Sequence, residues 1–149
     1  DDWTLALAND SNRLGDEAAS RFFDSHLEVE LARLGDATPL HEQVRARIAR
    51  SLSEGVPTVS EIAAQLGTSA RTLQRRLAGD ERTFQGLVDD ARRGLAERLL
   101  ARSDYALAEV AFLTGFSEQS AFTRAFRRWN GSTPRAYRLA RRTSGTESL

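Results

Sequence analysis

Two short stretches carry the side chains of this sequence best suited to chemistry. RTLQRR (71–76) presents Arg71, Gln74 and Arg75; EQSAFTRAFRR (118–128) presents Gln119, Ser120, Thr123 and Arg124. At 100° per residue on a helix, Ala70, Leu73 and Leu77 share one side of the first stretch, with Arg71 and Arg75 opposite and Gln74 and Thr72 on the flanks. In the second, Phe122, Phe126 and Trp129 share one side. Ser120, Arg124, Arg127 and Arg128 point the other way, Thr123 flanks them and Gln119 sits near the helix start. Arginine can donate two bonds to guanine, glutamine can pair twice with adenine, and serine or threonine can bond either base. The chemistry on offer is recognition of base edges. A merely solvated helix face would intersperse glutamates as i,i+4 partners of the arginines; apart from Glu118, these faces lack them.

Other chemistries find little support. The chain has no cysteine, which removes disulfides, thiolate metal sites and thiol nucleophiles. His26 and His41 stand apart, without metal-ligand spacing. Asp89 and Asp90 are neighbours whose side chains diverge by about 100° on a helix, so they cannot form a catalytic carboxylate pair. No phosphate-cradling glycine loop or nucleophile elbow occurs, and no cofactor is expected. No apolar run reaches membrane-spanning length, so no membrane partner is expected either. The formal net charge of zero averages two unlike regions. Residues 1–56 hold 6 Arg against 11 acidic residues, whereas residues 57–142 hold 15 Arg against 9. The second region is the one fitted to a polyanion.

The elements that must position these side chains are helices. DDWTLALANDSN alternates briefly and ends in turn residues. Asp16–Leu34 places Phe22, Leu27, Leu31 and Leu34 near helical spacing, with Gly35 as a stop. Thr38 is expected to cap a helix with Pro39 at its first position, and Leu40, Val44, Ile48 and Leu52 form its apolar stripe. SEGVPT (53–58) breaks the chain. Thr58 and Glu61 then predict a capping box, Gly67 ends that helix in a left-handed turn, and Ser69 caps the next through Leu77. A long helix over about Phe84–Arg102 buries Leu87, Val88, Ala91, Leu95, Leu99 and Leu100. Another helix, glycine turn and helix follow. Gly131 closes that pair, and Thr133 with Pro134 starts a last short helix, PRAYRLARR.

An internal repeat organises the basic half. Glu61, Ile62, Ala63 and Gly67 recur as Glu109, Val110, Ala111 and Gly115; Leu73, Arg75 and Leu77 recur as Phe122, Arg124 and Phe126, one residue further on. Each copy is helix, glycine turn, helix, and the small Ala63 and Ala111 permit close helix crossing. A single copy would be equally compatible with a plain helical hairpin. Two copies, each with a basic second helix, favour paired helix-turn-helix units. A linking helix of about 19 residues is about 28 Å long, comparable with the roughly 34 Å between successive major grooves on one side of a duplex.

The motifs SEIAAQLGTSARTLQRRL, RRGLAERLL and EVAFLTGFSEQSAFTRAFRRWNGSTPRAYR resemble the DNA-binding domain of the AraC/XylS family of bacterial transcription regulators. The resemblance implies an all-α fold of two homeodomain-like helix-turn-helix subdomains joined by a long helix and preceded by linker helices. It divides the chain into 1–55, a helical linker and remnant of a regulatory domain; 56–142, the double helix-turn-helix domain; and 143–149, a flexible tail. It implies double-stranded DNA as partner, RNA polymerase as a further partner, a homodimer through the N-terminal region, and a cytoplasmic, nucleoid-associated place of work. Carried over by position, the base-reading residues are Arg71, Gln74 and Arg75 in one recognition helix and Gln119, Ser120, Thr123 and Arg124 in the other. The backbone-contacting residues are Thr68, Ser69, Arg76, Arg92, Ser117, Arg127 and Arg128. Ser69 and Ser117 equally suit the N-cap of a helix, and Arg98 and Arg102 read as solvated.

Beginning at Asp1 and lacking most of a sensor domain, the chain reads as a piece of a longer protein. DNA-repair methyltransferases with a similar regulator domain need an acceptor cysteine, which is absent. The family often has Ser or Thr where this chain has Ala106, so the second unit lacks the capping box of the first and is expected to be looser where its first helix starts.

Overall fold

The stripe Leu40, Val44, Ile48 and Leu52 needs a partner, and it finds one in the centre of the domain. The computed structural model describes residues 37–147, so the helix expected over Asp16–Leu34 lies outside the described residues. The first described helix, α1 (Leu40–Ser51), continues into a short 3-10 turn (Leu52–Glu54). Val44, Ile48 and Leu52 are fully buried in the same core as the rest of the described chain. The helix before SEGVPT therefore packs into the basic half. Its start differs from expectation by one step: Pro39 occupies the N-cap position, where it has no side-chain donor or acceptor to offer. The Thr38 carbonyl, not its hydroxyl, accepts a bond from Gln43 Nε2 at 2.8 Å.

Four of the remaining starts follow hydroxyls. In α2 (Val59–Gln65) the Thr58 hydroxyl accepts from the Glu61 N–H and the Glu61 carboxylate accepts from the Thr58 N–H, both at 3.2 Å. In α3 (Ala70–Gly79) Ser69 Oγ accepts from Thr72 N at 3.1 Å. Thr83 caps α4 (Phe84–Arg102) through Gly86 N at 3.0 Å. The α5 helix (Leu107–Leu113) starts at Ala106 without a side-chain cap. Next come α6 (Gln119–Asn130) and α7 (Pro134–Glu147), the latter capped by Thr133 through Ala136 N at 3.1 Å. The last helix runs on past Arg142, through part of the expected tail. Arg142 lies across the end of α4, on the Ser103 carbonyl and the Asp104 carboxylate.

Among the described residues the fold is all helical. The 19-residue α4 is its axis: α1 and α7 pack along it, α2 pairs with α3, and α5 pairs with α6. All six residues of its expected stripe are buried, and Ala96 joins them with no exposure at all. Arg102 is exposed as expected, but Arg98 is half-buried.

Candidate nucleic-acid interface

Both recognition helices hang from the same kind of turn. Gly67 (φ +71°) and Gly115 (φ +89°) adopt the left-handed conformation that an L side chain resists. The following residues donate back across the turn, Thr68 N to the Ala63 carbonyl and Phe116 N to the Ala111 carbonyl, each at 2.9 Å. The repeat read from side chains is thus a repeat of backbone hydrogen bonds. The inserted residue lies after Phe116, so the position matching Ser69 is Glu118, and Ser117 does not cap α6. Ser117 is exposed one residue before the N-cap. Glu118 puts a negative charge at the positive end of the helix dipole, which compensates in part for a missing cap bond.

The inner faces anchor the two helices. Leu73 and Leu77 are fully buried beneath α3, and Phe122 and Phe126 beneath α6. Trp129 is half-buried and packs on Phe116 at 6.1 Å between ring centres; Phe116 meets Phe122 at 5.7 Å. Outward, Arg71, Gln74, Arg75 and Arg76 on α3, and Gln119, Ser120, Arg124, Arg127 and Arg128 on α6, are all exposed, while Thr123 is partly so.

What these side chains do inside the protein is more telling than their exposure. None of the seven residues expected to read bases makes a side-chain hydrogen bond or ion pair among the described residues, and neither do Arg76, Arg127 and Arg128. Elsewhere most of the arginines are engaged. Arg93 pairs with Glu97 at 3.1 Å, Arg82 approaches Asp90 at 4.0 Å, and Arg138 donates to the Leu100 carbonyl at 3.1 Å. Two rows of uncommitted donors therefore stand on a domain whose other cations are largely committed to the protein.

Two of the expected backbone-contacting residues also make bonds within the protein. Ser69 is occupied as the α3 cap and donates its own hydroxyl proton to Thr72 Oγ1 at 2.9 Å. Arg92 turns inward from α4: Nη2 donates to the Gly115 carbonyl at 2.9 Å, and the guanidinium carbon lies 4.2 Å from the centre of the Phe116 ring. Burial holds its pKa below the usual arginine value, against the raising effect of nearby Asp89. Thr68 is half-buried within the first turn. The signal that separates Arg92 from its neighbour Arg93 is helix phase: Arg92 lies four residues after buried Val88 and four before buried Ala96, at the edge of the apolar stripe, whereas Arg93 falls on the exposed side. A further tie was not foreseen. Asn130 Nδ2, at the end of α6, donates at 2.8 Å to the same Glu97 oxygen that Arg93 holds, fixing the far end of the second recognition helix to α4.

A family model described as a helix-turn-helix domain matches residues 62–140, which takes in both units and the linking helix. The chain belongs to the AraC-type helix-turn-helix family. Within the sequences of that family and its kin, it is similar to the HTH-type transcriptional regulator VirS of Mycobacterium tuberculosis, 41% identical over 130 residues. It is also similar to the ornithine utilization regulator of Pseudomonas aeruginosa, 35% identical over 136 residues. These alignments take in 87% and 91% of this chain but 38% of each relative, so the chain spans well under half the length of the regulators it matches. Among solved structures, the DNA-binding domain of AdpA in complex with a target DNA is 35% identical, with a TM-score of 0.57 over 72% of this chain and 96% of that one. A DNA-binding transcriptional dual regulator from Escherichia coli K-12 superposes with a TM-score of 0.66 over 74% of this chain and 99% of that one. At 23% identity this second likeness supports the fold.

Proposed function

We propose that this chain is the DNA-binding part of a bacterial transcription regulator, and that α3 and α6 enter successive major grooves of one duplex. The observation that carries this reading is the pair of uncommitted donor rows on two repeated units. Arg71, Gln74 and Arg75 read one half-site; Gln119, Ser120, Thr123 and Arg124 read the other. Arg76, Arg127 and Arg128, with the hydroxyls of Thr68 and Ser117, meet the phosphates that set register. The AdpA domain, similar in sequence and fold, is named as bound to its target DNA, which supports carrying the same partner to this chain. Its place of work on this reading is the nucleoid. Recruitment of RNA polymerase, and pairing of two copies through the N-terminal region, complete the reading for the whole regulator.

Selection of bound sites from random duplexes, followed by titration of the best site at several salt concentrations, tests it. The expected result is a bipartite site with sequence preference in both halves and an affinity that falls steeply with salt. Binding that is absent, or indifferent to both salt and sequence, would leave the basic faces to an acidic protein partner instead.

A further inference from the structure

The two turns share a backbone but not their surroundings. A Cβ added at Gly67 would meet nothing within 4 Å, whereas one at Gly115 would lie 3.3 Å from Arg92 Nη2, from Leu52 Cδ2 and from the Leu52 carbonyl oxygen. The first turn is open to its surroundings. The second is gripped from two sides, by the linking helix and by the 3-10 turn that precedes the first unit. Arg92 supplies the directional part of that grip. It holds the Gly115 carbonyl with one nitrogen, lays its guanidinium on Phe116, and keeps its Nε buried without a hydrogen-bond partner. Of its guanidinium nitrogens only Nη1 is neither hydrogen-bonded nor buried. Phe116, in turn, packs on Phe122 and Trp129 of the recognition helix itself, so the position of the guanidinium is transmitted to α6 through ring contacts.

We infer that Arg92 is a positioning residue: together with Leu52 it sets the angle between α6 and the linking helix, and so fixes the spacing between the two half-sites that the protein accepts. This rests on the reading of α3 and α6 as a pair of base-reading helices. A residue in this role differs measurably from a phosphate contact. Losing a phosphate contact weakens binding at every spacing alike and lowers the salt slope by about one. Losing a brace leaves the salt slope unchanged and loosens the geometry.

The test uses the full 149-residue chain and the bipartite site selected by the unaltered protein, rebuilt with its spacer one or two base pairs longer or shorter. Arg92→Met removes the charge and the bracing; Arg92→Lys keeps the charge but cannot lie flat on Phe116 while bonding the Gly115 carbonyl in the same geometry. Both variants are expected to keep the sequence preference of each half-site and the salt slope. Both should lose roughly three- to tenfold of the preference for the native spacer, the scale of one cation–π contact and one hydrogen bond. A loss of stability alone would lower the melting temperature without moving the spacer preference, and that result overturns the inference. So does the phosphate pattern, in which Arg92→Met lowers the slope by about one at every spacer and Arg92→Lys behaves as the unaltered protein. Should Arg92→Met not fold, Arg92→Lys decides alone: an unchanged spacer preference overturns the brace. If the unaltered chain selects no bipartite site, the underlying reading fails first, and that outcome is distinct from both.

Discussion

The first helix-turn-helix unit is held by local bonds and the second by distant ones. In the first, Thr58 and Glu61 close a box at the start of α2, and Ser69 caps α3. In the second, neither Ala106 nor Glu118 gives a side-chain cap. Its turn is instead clamped by Arg92 and Leu52, its helix end is tied to Glu97 by Asn130, and its core is a chain of rings from Trp129 through Phe116, Phe122 and Phe126 to Tyr137. A cap contributes about 1 kcal/mol, and a well-placed aromatic pair adds about 0.5–1.5 kcal/mol beyond the area it buries. The uncapped unit is therefore not simply the weaker copy. Its stability depends on α4 and α7, so a change there reaches α6, whereas the first unit is more nearly self-sufficient.

Core truncation should expose that difference with the largest effects. Phe126→Ala is expected to cost about 3–5 kcal/mol and Leu73→Ala about 2–5 kcal/mol, both read from urea midpoints. The sharper readout is amide exchange. Phe126 meets Tyr137 of α7 at 5.4 Å, so its loss should raise exchange in α6, α7 and the end of α4 together. Loss of Leu73 should raise it mainly in α2 and α3. Equal spread of exchange from both variants would erase the contrast between local and distant support.

Binding should separate the units as well. Arg75→Ala and Arg124→Ala are each expected to cost roughly 1–3 kcal/mol of affinity and to relax specificity in one half of the site only. If Arg124→Ala leaves both affinity and preference unchanged, α6 does not read bases, and only α3 does. Arg128→Ala should act differently, weakening all sequences alike and reducing the salt slope by about one. These measurements need only the selected site and titrations at three or four salt concentrations.

Much of the fold was legible because its punctuation is local. Thr58, Glu61, Gly67, Ser69, Gly115, Gly131 and Thr133 each act through bonds within a few residues, and such bonds leave a mark at fixed spacing. The stripe of α4 was equally plain, because its period is that of the helix. What escaped was direction at long range. Arg92 and Arg93 are adjacent and chemically identical, yet one reaches back across the fold to Gly115 and the other pairs along its own helix with Glu97. Asn130 and Glu97 stand far apart in sequence, and no local pattern announces that they meet. Ser117 misled for a related reason. The single inserted residue shifts the cap position to Glu118, so the serine that looks like a cap falls one step short.

The smallest expected effect bears most directly on why the units differ. Ala106 has the extended backbone of an N-cap residue, φ −60° and ψ 151°, and Glu109 stands at the third helical position. Ala106→Thr therefore completes the same T-x-x-E pattern that Thr58 and Glu61 form, without asking the backbone to move. It is expected to stabilise the domain by about 1 kcal/mol, and Thr58→Ala to destabilise it by about the same amount. For a domain of this size each should shift the melting temperature by several degrees, in opposite directions. Amide exchange at Glu109 should slow in Ala106→Thr, because its N–H gains an acceptor. If Ala106→Thr gives no gain while Thr58→Ala gives its full loss, the first turn of α5 is already satisfied by its surroundings, and the second unit owes its missing cap to packing that makes one redundant.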